Sequence, residues 1–268
     1  MQYEPIKDLL GKFFSGPLFL RKFLYTCLDL ILLRTWHIKK ALGRLKNKLP
    51  ADATVLDAGS GLGQYSWRMC RLNKNWKIRG VDINESQVSD CNTFFRRAGM
   101  SARVSFSQAD LALYIEPDTY NFILCVDVME HIKEDDAVFS NFYKSLKNDG
   151  LLLISTPSDK GGSDVHDDTK SFIDEHVRNG YGIEEIKNKL ARAGFRETET
   201  KYTYGKPGNI SWLLTMKLPV RMLNVSYFFF ILLPFYYLVF FPVSMIFSFF
   251  DLCLRHKTGT GLLVIARK

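Results

Sequence analysis

From Ala51 to about Tyr204 the chain alternates short β-branched and apolar runs with stretches of helical periodicity. Thr54 to Asp57 reads as a first strand, Gly59 to Gly63 as a tight loop and Gln64 to Leu72 as a helix. Lys77 to Asp82 is a second strand, and Asn84 with Gln87 three residues later starts a helix that runs to about Ala98. Arg103 to Phe106 and Asn121 to Asp127 follow as the third and fourth strands. A helix through Phe139 to Leu146 is expected to end near Gly150, with Leu151 to Ser155 as the fifth strand. Strands alternating with helices imply right-handed βαβ units and a parallel sheet covered on both faces. Such sheets bind ligands at the carboxyl ends of their strands.

The flanks differ in character. Residues 1–50 mix basic and apolar patches, with Leu18 to Leu33 rich in Leu and Phe and Thr35 to Leu49 reading as a basic helix stopped by Pro50. A strongly apolar block runs from Trp212 to Leu254, and the strand-like tail Gly261 to Arg267 closes the chain. The pattern divides the 268 residues into an amphipathic N-terminal segment 1–50, a core 51–208, an apolar insertion 209–258 and a final strand 259–268.

Composition sharpens this picture in three places. Nine of the 21 phenylalanines fall between Phe228 and Phe250, so the apolar block is not an average stretch. A formal net charge of +8 favours an anionic partner, either nucleic acid or anionic lipid. The five cysteines form no CxxC pair, which argues against a disulfide framework or a zinc site and for a reducing compartment. No secretory signal layout is expected, because Arg21, Lys22 and Asp29 break the first apolar stretches.

The chemistry centres on Val55-Leu-Asp-Ala-Gly-Ser-Gly-Leu-Gly63. Glycines at 59, 61 and 63, between a strand and a helix, let backbone approach a ligand closely. Gln64 stands where the dinucleotide fingerprint G-x-G-x-x-G wants its last glycine, which disfavours a nicotinamide oxidoreductase. Asp82 ends the second strand, where a carboxylate can accept from both ribose hydroxyls or, in the plainer reading, cap the next helix. Asp110 follows the third strand, placed to accept from an adenine amino group or to sit solvated in its loop.

At this point the sequence resembles the class I S-adenosylmethionine-dependent methyltransferases, over roughly residues 53–204 plus the last strand. Leu56 to Gly63 looks like the family's first motif and Gly80 to Ile83 like its acidic second. Tyr120 to Ile132 and Leu146 to Ile154 look like the segments around its fourth and fifth strands. The resemblance implies a doubly wound, Rossmann-like α/β fold with a seven-stranded, mostly parallel sheet. It further implies S-adenosylmethionine as cofactor, held by Gly59, Ser60, Gly61, Gly63, Asp82, Ile83, Asp110 and Val126.

Within the family, Asp127-Val-Met-Glu130-His131 is similar to a run in the ubiquinone-biosynthesis O-methyltransferases. There it is associated with a divalent cation such as Mg or Zn near the phenol, so Asp127, Glu130 and His131 become candidate metal ligands. In many other relatives the Glu-His pair simply begins the next helix. Transfer to a phenolic oxygen also calls for a base, for which His131 is the first candidate and His166 the second, with His176 further along. Arg34 and His37 stand on a basic helix that could close over the cofactor.

Met222 to Phe250 holds no charged residue, enough to span a bilayer as one helix, but Pro234 and Pro242 interrupt it. The final strand must rejoin the core sheet, and Lys217, Arg221, Arg255, His256 and Lys257 place basic residues on both flanks. The expected element is therefore a hairpin or re-entrant insertion on the cytoplasmic face of a membrane, monotopic or peripheral. The N-terminal amphipathic stretch, with Phe13, Phe14, Phe19, Phe23 and Leu24 among Lys12, Arg21 and Lys22, would lie beside it. A membrane-seated site implies a lipophilic acceptor, first a phenolic or quinone-type lipid methylated on oxygen. Transfer to nitrogen or carbon of another lipid, and a non-catalytic cofactor-binding scaffold, are the alternatives. Nucleic acid is not expected as partner, since the basic residues flank apolar surface rather than a stacking or groove-reading motif.

Overall fold

The computed structural model describes residues 17–161, 177–226 and 228–268. Lys12, Phe13, Phe14, His166 and His176 lie outside the described residues.

Two N-terminal helices, α1 (Leu18–Ile31) and α2 (Leu33–Leu45), lead through a short 3-10 turn into the first strand. There follow β1 (Thr54–Ala58), α3 (Gln64–Leu72), β2 (Lys77–Asp82), α4 (Glu85–Arg97), β3 (Val104–Gln108) and β4 (Tyr120–Val126). Next come α5 (Asp135–Ser145), β5 (Leu146–Pro157), α6 (Ile183–Ala193) and β6 (Glu197–Thr203). The insertion contains α7 (Lys206–Trp212), a π-helical turn (Leu213–Lys217), α8 (Leu218–Val225) and α9 (Phe229–Cys253), and β7 (Gly261–Arg267) ends the chain.

The seven strands form one sheet in the order β3-β2-β1-β4-β5-β7-β6, parallel except for β7, which is antiparallel to both of its neighbours. Strand alternation sends successive residues to opposite faces. Val55, Ile78, Phe122 and Leu153 pack with α1 to α4, while Leu56, Val81, Ile123 and Ile154 pack with α5 and α6. Both faces are thus buried, as a parallel sheet requires. The strand order reverses between β1 and β4, so the loops after these two strands open a crevice at the carboxyl edge.

Two expectations need correction. The fifth strand starts at Leu146, not Leu151, because the chain pairs Leu146 with Tyr120, bulges, and resumes pairing at Leu151 with Phe122. Asp149, with φ of 61°, takes the left-handed position in that bulge, so Gly150 is no helix stop.

The second correction concerns the prolines. Pro234 and Pro242 lie inside one continuous 25-residue helix, α9. An interior proline costs about 3 kcal/mol in a helix, so other contacts must hold it. Tyr236 and Tyr237 donate from their hydroxyls to the carbonyls of Leu214 and Thr215 at 2.7 and 2.8 Å, and Ser248 bonds Ser211 at 2.7 Å. The insertion is a helical hairpin, with α7 and α8 folding back against α9.

Candidate active site at the strand carboxyl edge

The glycine loop owes its shape to three left-handed residues, Gly59, Gly61 and Gly63, with φ of 73°, 49° and 76°. At Gly59 a Cβ would lie 2.1 Å from Val128 Cγ2, so glycine there serves both the backbone and the packing of the β4 loop. Gly59 and Ser60 both donate to the Val81 carbonyl, at 2.8 and 3.0 Å, which ties the loop to β2. Asp82 completes the tie. Its Oδ2 accepts from Gly61 N–H at 2.8 Å and its Oδ1 from Asn84 N–H at 2.9 Å, while Asn84 itself caps α4 through Gln87 N–H.

The loop is also clamped by α1. Arg21, nearly fully buried, and the Tyr25 hydroxyl both donate to the Leu62 carbonyl, at 2.7 and 2.5 Å, and Arg21 pairs with Asp90 on α4. Gln64 donates to Asp29 of α1 at 2.9 Å, and Arg68 pairs with the same carboxylate. These contacts were not legible as a set, because each partner lies about thirty or more residues away in sequence.

Next to Asp82, Ile83 leaves 70% of its surface exposed, an apolar side chain free to cover a flat ring. Gln108 donates to the Ile83 carbonyl at 3.1 Å and Ala109 N–H to the Asp82 carbonyl at 3.1 Å, which brings the β3 loop alongside. Asp110 follows and accepts from Ala112 N–H at 2.9 Å in a local turn. Val126, buried, ends β4 on the other side of the glycine loop. The eight residues expected to hold the cofactor therefore sit at the ends of β2 and β4 and in the loops after β1, β2 and β3, at one edge of the sheet.

Two polar atoms here lack partners among the described residues: Ser60 Oγ in the loop and Tyr65 Oη at the start of α3, both buried. A buried hydroxyl without a hydrogen bond costs about 1–3 kcal/mol, so this edge fits a polar ligand. The unpaired hydroxyls, the Asp82 carboxylate and the exposed Ile83 give this edge a chemistry that fits an adenosyl group. Below the loop, Asp57 is buried, and its Oδ2 accepts from Ser66 Oγ at 2.6 Å. Burial pushes its carboxyl up to about 7, against the lowering effect of the Ser66 bonds.

Asp127 adopts φ of 50° directly after β4 and pairs with Arg34 of α2. Both line a cleft of about 550 Å³ that continues past Ser155, Thr156 and Tyr204 to Trp212, Leu213 and Lys217 of the insertion. Arg34 N–H also donates to the Tyr204 hydroxyl at 2.9 Å. Of these residues only Arg34 and Asp127 were marked in the sequence as candidates beside the cofactor, while Trp212 and Lys217 were marked only as the start and basic flank of the apolar block. Thr156 reaches the cleft from the end of β5, Tyr204 from the end of β6, and Trp212 and Lys217 from the insertion, so no local motif brings them together.

The proposed metal set does not assemble. Glu130 is buried and accepts from Thr156 Oγ1 at 3.1 Å, its carboxyl pushed up by burial, while Asp127 is engaged by Arg34 and His131 is exposed. Among the described residues no three His, Cys, Asp or Glu side chains gather at metal-ligand spacing. The left-handed turn at Asp127 and the burial of Glu130 send the carboxylates to separate partners, so this donor set does not fit a divalent cation. His131, on the 3-10 turn Met129–His131, is not among the residues lining the cleft.

Comparison with known proteins agrees with the fold. The chain is 31% identical over 157 residues to phosphoethanolamine N-methyltransferase 1 of Triticum aestivum, covering 57% of this chain and 30% of that enzyme. It is 26% identical over 140 residues to the sterol 24-C-methyltransferase of Debaryomyces hansenii, covering 52% and 35% of the two. The chain thus spans about a third of the length of these curated relatives. Its fold is that of Haemonchus contortus phosphoethanolamine N-methyltransferase 2, solved in complex with S-adenosyl-L-methionine. That match has a TM-score of 0.60 at 19% identity and covers 86% of this chain and 52% of the other. Residues 49–202, more than half of the chain, match the model of a methyltransferase domain family, and the protein belongs to that family.

Proposed function

We propose that the protein is an S-adenosylmethionine-dependent methyltransferase that modifies a lipophilic acceptor taken from a membrane. The carrying observation is the cleft that runs from Asp127, beside the glycine loop, to Trp212, Leu213 and Lys217 of an apolar hairpin. Bound S-adenosylmethionine would supply an electrophilic sulfonium methyl. In this assignment Asp82 holds the ribose, Ile83 and Asp110 flank the adenine, and Gly59, Ser60, Gly61, Gly63 and Val126 border the methionine end.

Methyl transfer is an in-line displacement, so placing the acceptor supplies most of the rate. Two cations, Arg34 and Lys217, line the cleft with one carboxylate, Asp127; Arg34 pairs with Asp127, and Lys217 lies over the Trp212 ring. A cation beside a phenolic hydroxyl lowers its pKa and stabilises the phenolate nucleophile. The methyl ether formed is neutral, whereas a methylated amine would keep a positive charge beside Arg34 and Lys217. The cationic side chains in the cleft lining therefore support a phenolic or quinone-type oxygen ahead of nitrogen.

Membrane seating is the second half of the reading. α9 has a mean hydropathy of 2.1 and is mostly unburied, and Phe19 and Phe23 of α1 are exposed as well. Both ends of the hairpin join the same sheet edge, through β6 and β7. That topology supports an element lying in one leaflet at the cytoplasmic face, with α1 beside it.

The test is incubation of a membrane lipid extract with methyl-labelled S-adenosylmethionine, followed by mass spectrometry of the lipid fraction. A labelled phenolic or quinone-type ether is the expected product. Label on nitrogen or carbon would overturn the oxygen assignment, and label confined to water-soluble products would overturn the lipophilic acceptor. Calorimetric binding of the cofactor with no turnover on any extract would favour a scaffold.

A further inference from the structure

The apolar block carries one acidic side chain, and it is placed against the core rather than the outside. Asp251, in the last turn of α9, is fully buried. Its Oδ2 meets His37 Nε2 of α2 at 2.8 Å and Tyr204 N–H at 3.1 Å. Its Oδ1 accepts from Gly205 N–H at 2.8 Å and Gly208 N–H at 3.1 Å, and lies 3.0 Å from His256 Nε2. One carboxylate thus collects donors from α2, from the β6–α7 turn and from the segment after α9.

A buried carboxylate this far from water is tolerated only when donors surround it, and losing it would strand those donors. Its surroundings are shaped around it. A Cβ at Gly208 would lie 2.7 Å from Asp251 Oδ1, and one at Gly205 would lie 2.2 Å from His256 Nδ1. Tyr204, which donates its N–H to Asp251, is held at φ of 56°, a strained setting for a tyrosine.

The bonded turn is also a wall of the cleft. Thr203, Tyr204, Asn209, Trp212 and Leu213 line it, and Tyr204 reaches across to Arg34 through its hydroxyl. Along α7, Ser211 bonds Ser248 of α9 at 2.7 Å, and Asn209 accepts from Thr260 Oγ1, just before β7, at 3.3 Å. The position of the cleft wall is therefore tied to α9 as well as to the sheet edge.

We propose that Asp251 is a positioning residue that couples the seating of the apolar hairpin in a lipid surface to the geometry of the acceptor cleft. This rests on the membrane reading above. Lipid contact along α9 fixes the helix, Asp251 carries that order to the 204–208 turn, and the wall from Asn209 to Leu213 closes to its working shape. An acceptor would then meet a formed cleft only on a membrane-bound enzyme.

Hydrogen–deuterium exchange of the full chain, with and without vesicles of phosphatidylcholine and phosphatidylglycerol, tests the coupling. In wild type, vesicles should slow exchange both in α9 and, by about tenfold, across Asn209 to Leu213, whose amides do not bond Asp251. In Asp251→Asn, α9 should stay vesicle-protected while the effect on Asn209 to Leu213 falls below about twofold. Equal vesicle protection of that wall in both proteins would overturn the proposal. So would a wild type whose α9 is protected while the wall does not respond. A wild type with no vesicle protection of α9 would remove the membrane reading and this inference together. Calorimetry with S-adenosylhomocysteine identifies a folded variant, and if Asp251→Asn fails to fold, the pair His37→Gln and His37→Leu takes its place. The glutamine, which retains a donor, should keep the coupling and the leucine should lose it; the same response in both would count against the proposal.

Discussion

Gly61 donates its main-chain N–H to Asp82 Oδ2 at 2.8 Å, joining the loop after β1 to the end of β2. The same carboxylate accepts from Asn84, so it fixes the glycine loop and the start of α4 together while presenting charge at the crevice. Replacing Asp82 by Asn keeps the size but turns one acceptor into a donor facing an N–H. Hydrogen bonds to charged groups are worth about 1.5–3 kcal/mol, so S-adenosylhomocysteine should bind about 10- to 100-fold more weakly. Isothermal calorimetry checks this; unchanged affinity would remove Asp82 from the cofactor site.

Gly59 and Gly61 should separate stability from binding. Alanine at 59 meets Val128 at 2.1 Å and must also hold φ of 73°, so Gly59→Ala should lose about 2–4 kcal/mol of stability. Alanine at 61 meets nothing closer than Gln87 Oε1 at 3.7 Å and should cost only the left-handed backbone, about 1–2 kcal/mol. It stands in the loop assigned to the cofactor, so Gly61→Ala should weaken cofactor binding in proportion more than stability. Urea titration beside calorimetry reads both, and equal destabilisation by the two alanines would contradict the packing described.

The legible parts of this fold are those whose signals are local. β2 and α3 begin and end where the pattern places them, because glycine, an acid and a cap mark their ends within a few residues. The glycine loop and Asp82 were readable for the same reason, and their contact follows from adjacent parallel strands. What failed was local in appearance but decided at a distance. Gly150 looked like a helix stop, yet pairing of Leu146 with Tyr120 had already begun the strand. Pro234 and Pro242 looked like breaks, yet Tyr236 and Tyr237 hold α9 to the opposing turn. The run from Asp127 to His131 has the residue types of a metal site, but one carboxylate turns to Arg34 and the other is buried at Thr156. Asp251 carried no signal, since its partners at His37 and Tyr204 lie 214 and 47 residues away.

Asp57 should leave a signature in stability against pH. Burial raises its folded-state carboxyl from 3.8 to about 7, so the fold favours the protonated form. A raised acid contributes stability that is complete below the unfolded value and is lost as pH climbs through the folded one. Wild type should therefore weaken relative to Asp57→Asn as pH rises from about 4 to about 8, since the amide cannot ionise. Urea midpoints of both proteins across that range give the comparison. Parallel curves would mean that Asp57 is ionised at no cost in the folded protein.

The hairpin prediction turns on which apolar residues face outward. Phe235 and Leu238 stand three residues apart on α9, 67% and 76% exposed, and so share one outer face. Burying a side chain of this size in hydrocarbon is worth about 1.5–3 kcal/mol, so each serine replacement should weaken vesicle partitioning about tenfold or more. The double variant Phe235→Ser/Leu238→Ser should lose about 100-fold in a sedimentation assay while keeping its affinity for S-adenosylhomocysteine, because neither side chain touches the crevice. Leu113 is the control. It is 82% exposed, yet it stands in the turn after Asp110, far along the sheet edge from the hairpin, and Leu113→Ser should leave partitioning unchanged. If all three variants bind vesicles as wild type does, the outer face of α9 is not the membrane contact, and the cleft would have to draw its acceptor from water.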